Sequence, residues 1–276
     1  MSGLLINYNA AAVAAYNNLD QTNSSLTQTV GALSSGLQIQ TAADNPAGYA
    51  IGQQLQLEAN GYTQAISNAQ DAVSVLQTAQ GALGQEASIL QTMNTLATEA
   101  ANGGTASSTS SAAANAEFQS LASELTQIAG STNYAGKNLL DGSYTSMAFQ
   151  VGPQAATNNV ITVSISASDA GALSVSGLSL TTAASAVAAM SAVQAAINTV
   201  ATIASGVGAS QNQITAVSAN LTTAQQNIAA AHANLVDVNV AQMTSQFTSQ
   251  QILEQAGVAI LAQASQLPAL AQKLLP

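Results

Sequence analysis

The sequence has no cysteine, no tryptophan and no arginine, and Lys137 and Lys273 are its only lysines. The absence of cysteine excludes disulfides, thiolate catalysis and cysteine-based metal sites. Proteins bind nucleic acid backbones through Lys and Arg, which displace counterions, so a net charge of −10 excludes nucleic acid as a partner. Charged residues make up 5% and hydrophobic residues 47% of the chain. We therefore expect a surface built from Gln, Asn, Ser and Thr.

The sequence also gives little indication of a cleaved signal peptide or of a membrane-spanning helix. Residues 1–9 contain no basic residue before an apolar core, so we expect no cleaved signal peptide. The best candidate for a membrane span is 180–200, but it contains Gln194 and Asn198 and its apolar residues are mostly Ala. We expect this segment to be a helix of a folded domain and predict no membrane insertion.

Three long segments repeat apolar side chains every three or four residues, which predicts helices packed along a seam. The first repeat is Leu26, Val30, Leu33 and Leu37. The second is Ile66, Ala69, Val73, Leu76, Gln80, Leu83, Ala87, Leu90, Asn94 and Ala97. The third is Ile214, Val217, Leu221, Ala224, Ile228, Ala231, Leu235 and Val238. A shorter helix is predicted over 112–129, and the Ala-rich chain from 181 is predicted to be helical to near its end.

The residues between these segments indicate where one helix begins and where strands form. Asp44 or Asn45 can cap the helix whose first turn contains Pro46, where the missing N–H costs nothing. In the middle of the chain, 147–151 has extended character and 160–166 alternates as a half-buried strand does. A weaker strand is predicted over 172–176. Helices therefore occupy both ends, and the β-prone part lies between them.

No set of residues suited to catalysis can be assembled. His232 is the only histidine, and no cysteine or close pair of carboxylates is available to join it in a metal or acid–base site. The glycines at 36, 48 and 52 are not followed by the Gly-Lys-Ser/Thr of a phosphate-binding loop. We therefore predict no enzymatic activity, no cofactor and no metal.

The two ends of the chain, 1–40 and 240–276, carry apolar stripes and almost no charge. An isolated helix is marginal in water, because ordering one residue costs about 1–2 kcal/mol while burying one Leu or Ile gains about 1.5–3 kcal/mol. We expect these ends to become ordered only when they meet partners: either they pair with each other, or they pack against other subunits. The side chains predicted to be buried between subunits are Leu26, Val30, Leu33, Leu37, Ile252, Leu253, Val258, Ile260 and Leu261.

Several blocks of the sequence resemble a known family, the bacterial flagellins. They are residues 6–9 (Ile6-Asn7-Tyr8-Asn9), 33–39 (Leu33-Ser34-Ser35-Gly36-Leu37-Gln38-Ile39), 43–48 (Ala43-Asp44-Asn45-Pro46-Ala47-Gly48), 68–83, 133–142 (from Asn133-Tyr134-Ala135-Gly136-Lys137), 149–152 (Phe149-Gln150-Val151-Gly152), 250–257 and 261–266. The resemblance covers about 1–155 and 210–276, and all blocks occur in the family's order.

The resemblance implies a mainly α fold, a long antiparallel coiled-coil-like bundle formed by both chain ends, with a small β-hairpin region in the middle. It implies an inner helical domain of 1–41 and 238–276, an outer helical domain with a small β element of 42–152 and 186–237, and a short variable region of 153–185. Asp44, Asn45 and Pro46 would set the joint between the inner and outer domains.

The implied function is structural: self-assembly into the extracellular flagellar filament that drives swimming. The alternatives are a hook–filament junction protein and an exported helical adhesin or effector. The implied partners are further copies of the chain, the flagellar export apparatus and an export chaperone, and the filament cap and hook-junction proteins. Export is expected to proceed without a cleaved signal peptide.

The scarcity of charge suggests a further hypothesis, that the filament works in acidic surroundings. Carboxylates lose their charge near pH 2–3. Salt bridges would then fail, whereas contacts made by apolar groups, amides and hydroxyls would persist.

Overall fold

The computed structural model describes residues 9–104 and 107–273, with side chains described up to residue 266. The described helices are α1 (Ala10–Ser35), α2 (Pro46–Ala101), α3 (Ser108–Ser131), α4 (Ala183–Val236) and α5 (Val240–Lys273). The strands are β1 (Asn133–Tyr134), β2 (Lys137–Asn138), β3 (Met147–Gln150) and β4 (Val160–Val163), with a 3₁₀ turn at Thr157–Asn159. The predicted mainly α fold, with paired terminal helices and small antiparallel strand pairs in the middle, is confirmed.

The chain forms two compact units. Unit 1 contains the residues up to 57 and from 228 onwards, and unit 2 contains 58–227. Residues 1–8, 105–106 and 274–276 lie outside the described part of the chain, and with them residues 6–8 of the first sequence block discussed above.

Unit 1 is built on α1 and α5, which pack along each other in antiparallel directions. At the start of α1, the Asn9 side-chain amide donates to the Ala264 carbonyl at 2.7 Å, while its oxygen caps the helix by accepting from the Ala12 N–H. Further along, Leu19 lies against Gly257, where an added Cβ would come within 3.2 Å of the Leu19 side chain. The small residues on this seam bring the two backbones close together.

The other end of the seam is closed by backbone hydrogen bonds. Gly36 ends α1 with φ 74°, a conformation that glycine adopts without strain. Its carbonyl accepts from the Val238 N–H, and Leu37 forms an antiparallel bridge with Asp237. Leu37 and Val238, each the last member of a predicted helical repeat, therefore lie just outside the helices, and the continuous helix predicted from 181 is interrupted after Val236.

Unit 2 has a core made by two rows of buried side chains on α2, each with a spacing of seven residues. The first core row is Ala69, Leu76, Leu83, Leu90 and Ala97; the second core row is Ala65, Ala72, Ala79, Glu86, Met93 and Ala100. The sequence predicted the first row, but it placed the second row one residue later, at Ile66, Val73, Gln80, Ala87 and Asn94. That register is wrong, because those side chains are partly buried or exposed.

Helix α4 adds a third row with the same spacing: Ala186, Val193, Val200, Val207, Ile214 and Leu221. Within the described residues, α4 is also the one helix whose length and composition would suffice to cross a membrane. A core helix passes the same test, and Val193 and Ile214 are fully buried in unit 2. The row shows that one face of α4 packs in the core of unit 2.

The middle of the chain is less regular than predicted. Strand β3 pairs with β4 in antiparallel register from Met147↔Val163 to Gln150↔Val160, as the extended character of both segments predicted. The strand predicted to continue to 166 ends at Val163. The strand predicted over 172–176 is wrong: successive turns hold this segment, with Val175 and Ser176 N–H groups both donating to the Ala170 carbonyl and Ser174 at φ 57°.

Candidate subunit interface

Large apolar side chains that remain exposed are concentrated in unit 1. Among the described residues, unit 1 exposes Val13, Tyr16, Val30, Ile51, Leu57, Val240, Ile252, Leu253, Val258 and Ile260, whereas unit 2 exposes only Val187. Their exposed fractions run from 43% to 73%. Scattered single exposures are ordinary on a folded surface, whereas exposed apolar side chains gathered in one region are typical of interaction surfaces.

The buried side chains show the opposite distribution. In the described part of unit 1, the buried apolar residues are Ala32, Ile39, Val236 and Ala264, two of which are alanines. Unit 2 buries the Leu, Met, Phe and Ile side chains that form the large core cluster. Unit 1 therefore has too few neighbours within its own chain to cover the apolar faces of α1 and α5.

The nine side chains predicted at subunit contacts fall into two groups. Val30, Ile252, Leu253, Val258 and Ile260 are exposed, while Leu26, Leu33, Leu37 and Leu261 are partly buried. All nine belong to unit 1. The structure thus brings them to one unit and leaves five of them uncovered; their contact with another copy stays a prediction.

Sequence reasoning missed five further exposed apolar residues of unit 1, namely Val13, Tyr16, Ile51, Leu57 and Val240. Val13 and Tyr16 precede the first predicted repeat, and Ile51 and Leu57 lie between repeats. The available signal was composition: a helix as poor in charge as α1, where Asp20 is the one charged residue, has few polar side chains with which to cover a surface.

A polar groove accompanies the exposed apolar side chains of unit 1. It is lined by Thr27, Gln28, Gln40, Asp44, Gln246 and Gln250, among others. The Gln250 side-chain oxygen is buried and has no hydrogen-bond partner among the described residues. A buried acceptor left unpaired costs about 1–3 kcal/mol, so a donor supplied from outside the chain would stabilise this site.

The segment predicted as a joint, Asp44-Asn45-Pro46, is held by local hydrogen bonds. The Asp44 carboxylate accepts from the N–H groups of Gln40 and Thr41 at 3.1 and 2.8 Å, and from the Thr41 hydroxyl. These donors, the Thr41 backbone N–H foremost, lower the pKa of Asp44. Asn45 precedes the first residue of α2 and accepts from the Gly48 N–H at 2.9 Å. A role for these residues between domains stays a prediction.

The acidic side chains and His232 do not gather into a metal-binding cluster in the described part of the chain. Within the described residues, no group of three His, Asp or Glu side chains lies close enough to hold a metal ion. His232 is partly buried and lines a small groove with Tyr49 and Gln53, neither of which supplies a carboxylate.

Comparison with known proteins gives the chain its family. The family described as bacterial flagellin N-terminal helical region matches residues 6–145, and the bacterial flagellin C-terminal helical region matches 190–275. The flagellin of Halalkalibacterium halodurans is 34% identical over 274 residues, covering 99% of this chain and 100% of that protein. The flagellin of Bacillus subtilis is 33% identical and covers 95% of this chain and 97% of that protein.

Two further relatives align over only part of this chain. The chain spans 37% of the flagellin of Clostridium tyrobutyricum, to which it is 41% identical over 140 residues. The crystal structure of Bacillus cereus flagellin superimposes with a TM-score of 0.50 at 29% identity, covering 60% of this chain and 94% of that one. With both terminal regions matched and relatives aligned from end to end, the chain belongs to the bacterial flagellin family.

Proposed function

We propose that this flagellin polymerises by burying the exposed apolar side chains of unit 1 against other copies of itself. As a member of its family it is a structural subunit of the extracellular bacterial flagellar filament. The observation that supports the proposed contact is the distribution of exposed apolar residues, ten in unit 1 against one in unit 2 among those described. Burying a fully exposed Val, Leu or Ile gains about 1.5–3 kcal/mol, and these side chains, which are 43–73% exposed, would gain roughly half to three quarters of that.

The scarcity of charge suggests how these contacts are made. Apart from the chain termini, α1 and α5 carry only Asp20, Glu254 and Lys273 as charged residues. Ion pairs between copies can therefore be few. Apolar burial would supply the free energy of association, and amide groups such as the unpaired oxygen of Gln250 would fix the register.

Val258 and Val187 offer a matched test of this proposal. Both are helical valines with nearly the same exposure, 53% and 55%, but Val258 belongs to unit 1 and Val187 to unit 2. Replacing Val258 by Ser should raise the critical concentration for filament growth roughly tenfold, the equivalent of about 1.4 kcal/mol. Val187→Ser should leave it unchanged, and neither variant should alter the unfolding midpoint of the monomer.

Equal critical concentrations for Val258→Ser and the parent protein, measured by sedimentation of seeded filaments, would contradict the proposal. The alternatives also make distinct predictions. An adhesin or effector that binds through its loops would keep its ligand when the last thirty residues are removed, whereas a filament subunit would lose polymerisation. No observation on the described residues favours those alternatives or a junction protein.

The remaining assignments follow from the family and are part of the proposal. The chain would pass through the flagellar export apparatus with the help of an export chaperone, and would meet the filament cap and the hook-junction proteins during growth. It would reach the filament uncleaved and act without catalysis. The inner, outer and variable segments predicted from the sequence would be the working divisions of the assembled subunit. Mass determination of subunits from native filaments tests the absence of cleavage.

A further inference from the structure

Among the described residues, one carboxyl group lies in the core of unit 2. Glu86 occupies the second core row of α2, between Ala79 and Met93, and its exposed fraction is 0%. The other members of that row are Ala and Met. A carboxyl group at a fully buried position of a helix seam must either be paired or be neutral.

Few groups around Glu86 can stabilise the negative charge of its ionised form. The Ser168 hydroxyl donates to one carboxyl oxygen at 3.0 Å, and the other oxygen is buried without a hydrogen-bond partner among the described residues. The one charged group that acts on it is the carboxylate of Asp169, which has the same sign. Neither Lys137, the one lysine of unit 2, nor any other acid of that unit is among the groups that shift the pKa of Glu86. The part of α4 in unit 2 contains no charged residue.

The polar contact of Glu86 comes from the segment 164–182, here named the strap. The strap has no regular secondary structure, but it buries Ile165, Leu173, Val175 and Leu180, together with Ser168, against the helices. It is fastened by hydrogen bonds: the Ser168 N–H donates to the Leu140 carbonyl, and the Leu180 N–H donates to the Asn115 side chain at 2.8 Å. Since Ser168 lies over Glu86, water can hydrate an ionised Glu86 if the strap lifts there.

We propose that Glu86 and the strap form a pH-sensitive latch, in which the neutral carboxylic acid keeps the strap closed on α2 and ionisation releases it. The neutral acid can sit in the apolar core and keep its contact with Ser168. Within the described residues, the carboxylate has no hydrogen bond to a cation, and the negative charge of Asp169 repels it. Opening of the strap at the position of Ser168 is the local change that relieves both costs.

The sign of the pH dependence follows from the direction of the shift. Burial raises the pKa of Glu86 from 4.5 to about 7, with Asp169 adding to the rise and the Ser168 hydrogen bond opposing it. Because the pKa is higher in the folded state, folding takes up a proton between these two values. The stability that the latch contributes is fully present below pH 4.5 and is lost as the pH rises to about 7.

Thermal unfolding of the full-length monomer between pH 5 and pH 8.5 tests the latch, with Glu86→Gln compared to Glu99→Gln. Glu99 is an exposed residue of the same helix. The parent protein and Glu99→Gln should lose on the order of 5–10 °C in the midpoint of unit 2 across this range. Glu86→Gln, which cannot ionise, should lose less than a third of that. The same dependence in Glu86→Gln as in the parent would overturn the proposal.

Two further substitutions keep the test decisive if Glu86→Gln does not fold. Asp169→Asn removes the repulsive charge and should move the pH midpoint of the transition downwards, whereas Ser168→Ala removes the hydrogen bond to the carboxylate and should move it upwards. Hydrogen exchange of the strap amides, corrected for intrinsic rates, should report opening at the same midpoints. If both variants change stability but leave the pH midpoint in place, Glu86 is not the titrating group and the proposal is wrong.

Discussion

At the scale of single residues, the tip of the first hairpin carries a backbone conformation that its sequence does not favour. Ala135 and Gly136 connect β1 to β2 with φ values of 49° and 80°. Two successive positive φ values are typical of the type I′ turn, which favours Asn-Gly. Glycine accepts this conformation, but an alanine in the left-handed region costs about 1–2 kcal/mol.

Replacing Ala135 by Asn should therefore stabilise unit 2. We expect a gain of about 1 kcal/mol, because Asn tolerates the left-handed region better than Ala does. The measurement is the urea midpoint of the full-length monomer. Gly136→Ala at the neighbouring position serves as the control and should destabilise the unit; a loss of stability in both variants would contradict the turn described here.

The burial of Glu86 is a feature of a single residue that the sequence analysis missed. A spacing of seven residues places Glu86 in line with Ala65, Ala72, Ala79 and Met93, so its position in the core was available from the sequence. The prediction chose the neighbouring row because Ile66 and Val73 are larger and more apolar than Ala65 and Ala72. In a core built largely from alanine, the size of a side chain is a poor guide to which face is buried.

At the scale of elements, the helices could be predicted and the exact faces could not. The sustained spacing of apolar residues predicted α2 and α4, and the polar break at 41–48 correctly separated α1 from α2. The strap could not be predicted, because its turns depend on tertiary contacts such as that of Ser168 with Leu140 rather than on a local repeat. The interruption after Val236 depends likewise on pairing with residues 36–38, far away in the sequence.

Two alanines of α2 distinguish the observed register from the predicted one. Ala79 is fully buried in the second core row, whereas Ala87, a member of the predicted row, is partly buried at its edge. Ala79→Leu should overpack the core and destabilise unit 2 by about 1–3 kcal/mol. Ala87→Leu should change stability by less than about 1 kcal/mol, since the added atoms can extend to the surface. Chemical denaturation of both variants measures the difference. A larger loss of stability in Ala87→Leu than in Ala79→Leu would support the predicted register instead.

At the scale of the whole molecule, the two units differ in how far they bury their large apolar side chains. Unit 2 buries them in its own core, whereas unit 1 leaves large side chains on α1, α2 and α5 exposed. The sequence predicted part of this division from the charge-poor stripes at both ends. It could not show which members of each stripe are covered by the partner helix, because that depends on the close α1–α5 seam.

The low charge of the chain also has a consequence at this scale. Few contacts between copies can be ion pairs, and the proposed latch in unit 2 is tightest at acidic pH. Both features agree with the hypothesis that the filament works in acidic surroundings, which stays a prediction. Electron microscopy of filaments held at successively lower pH tests it, and disassembly on mild acidification would reject it.

The central claim is that the exposed apolar side chains of unit 1 become buried when copies assemble. The chain contains no cysteine, so a single cysteine at Val258 or at Val187 can be labelled without background. We predict that a maleimide reacts with both positions at similar rates in the monomer, and that assembly into filaments slows Val258→Cys at least tenfold while leaving Val187→Cys unchanged. Filaments in which Val258→Cys reacts as fast as in the monomer would contradict the account.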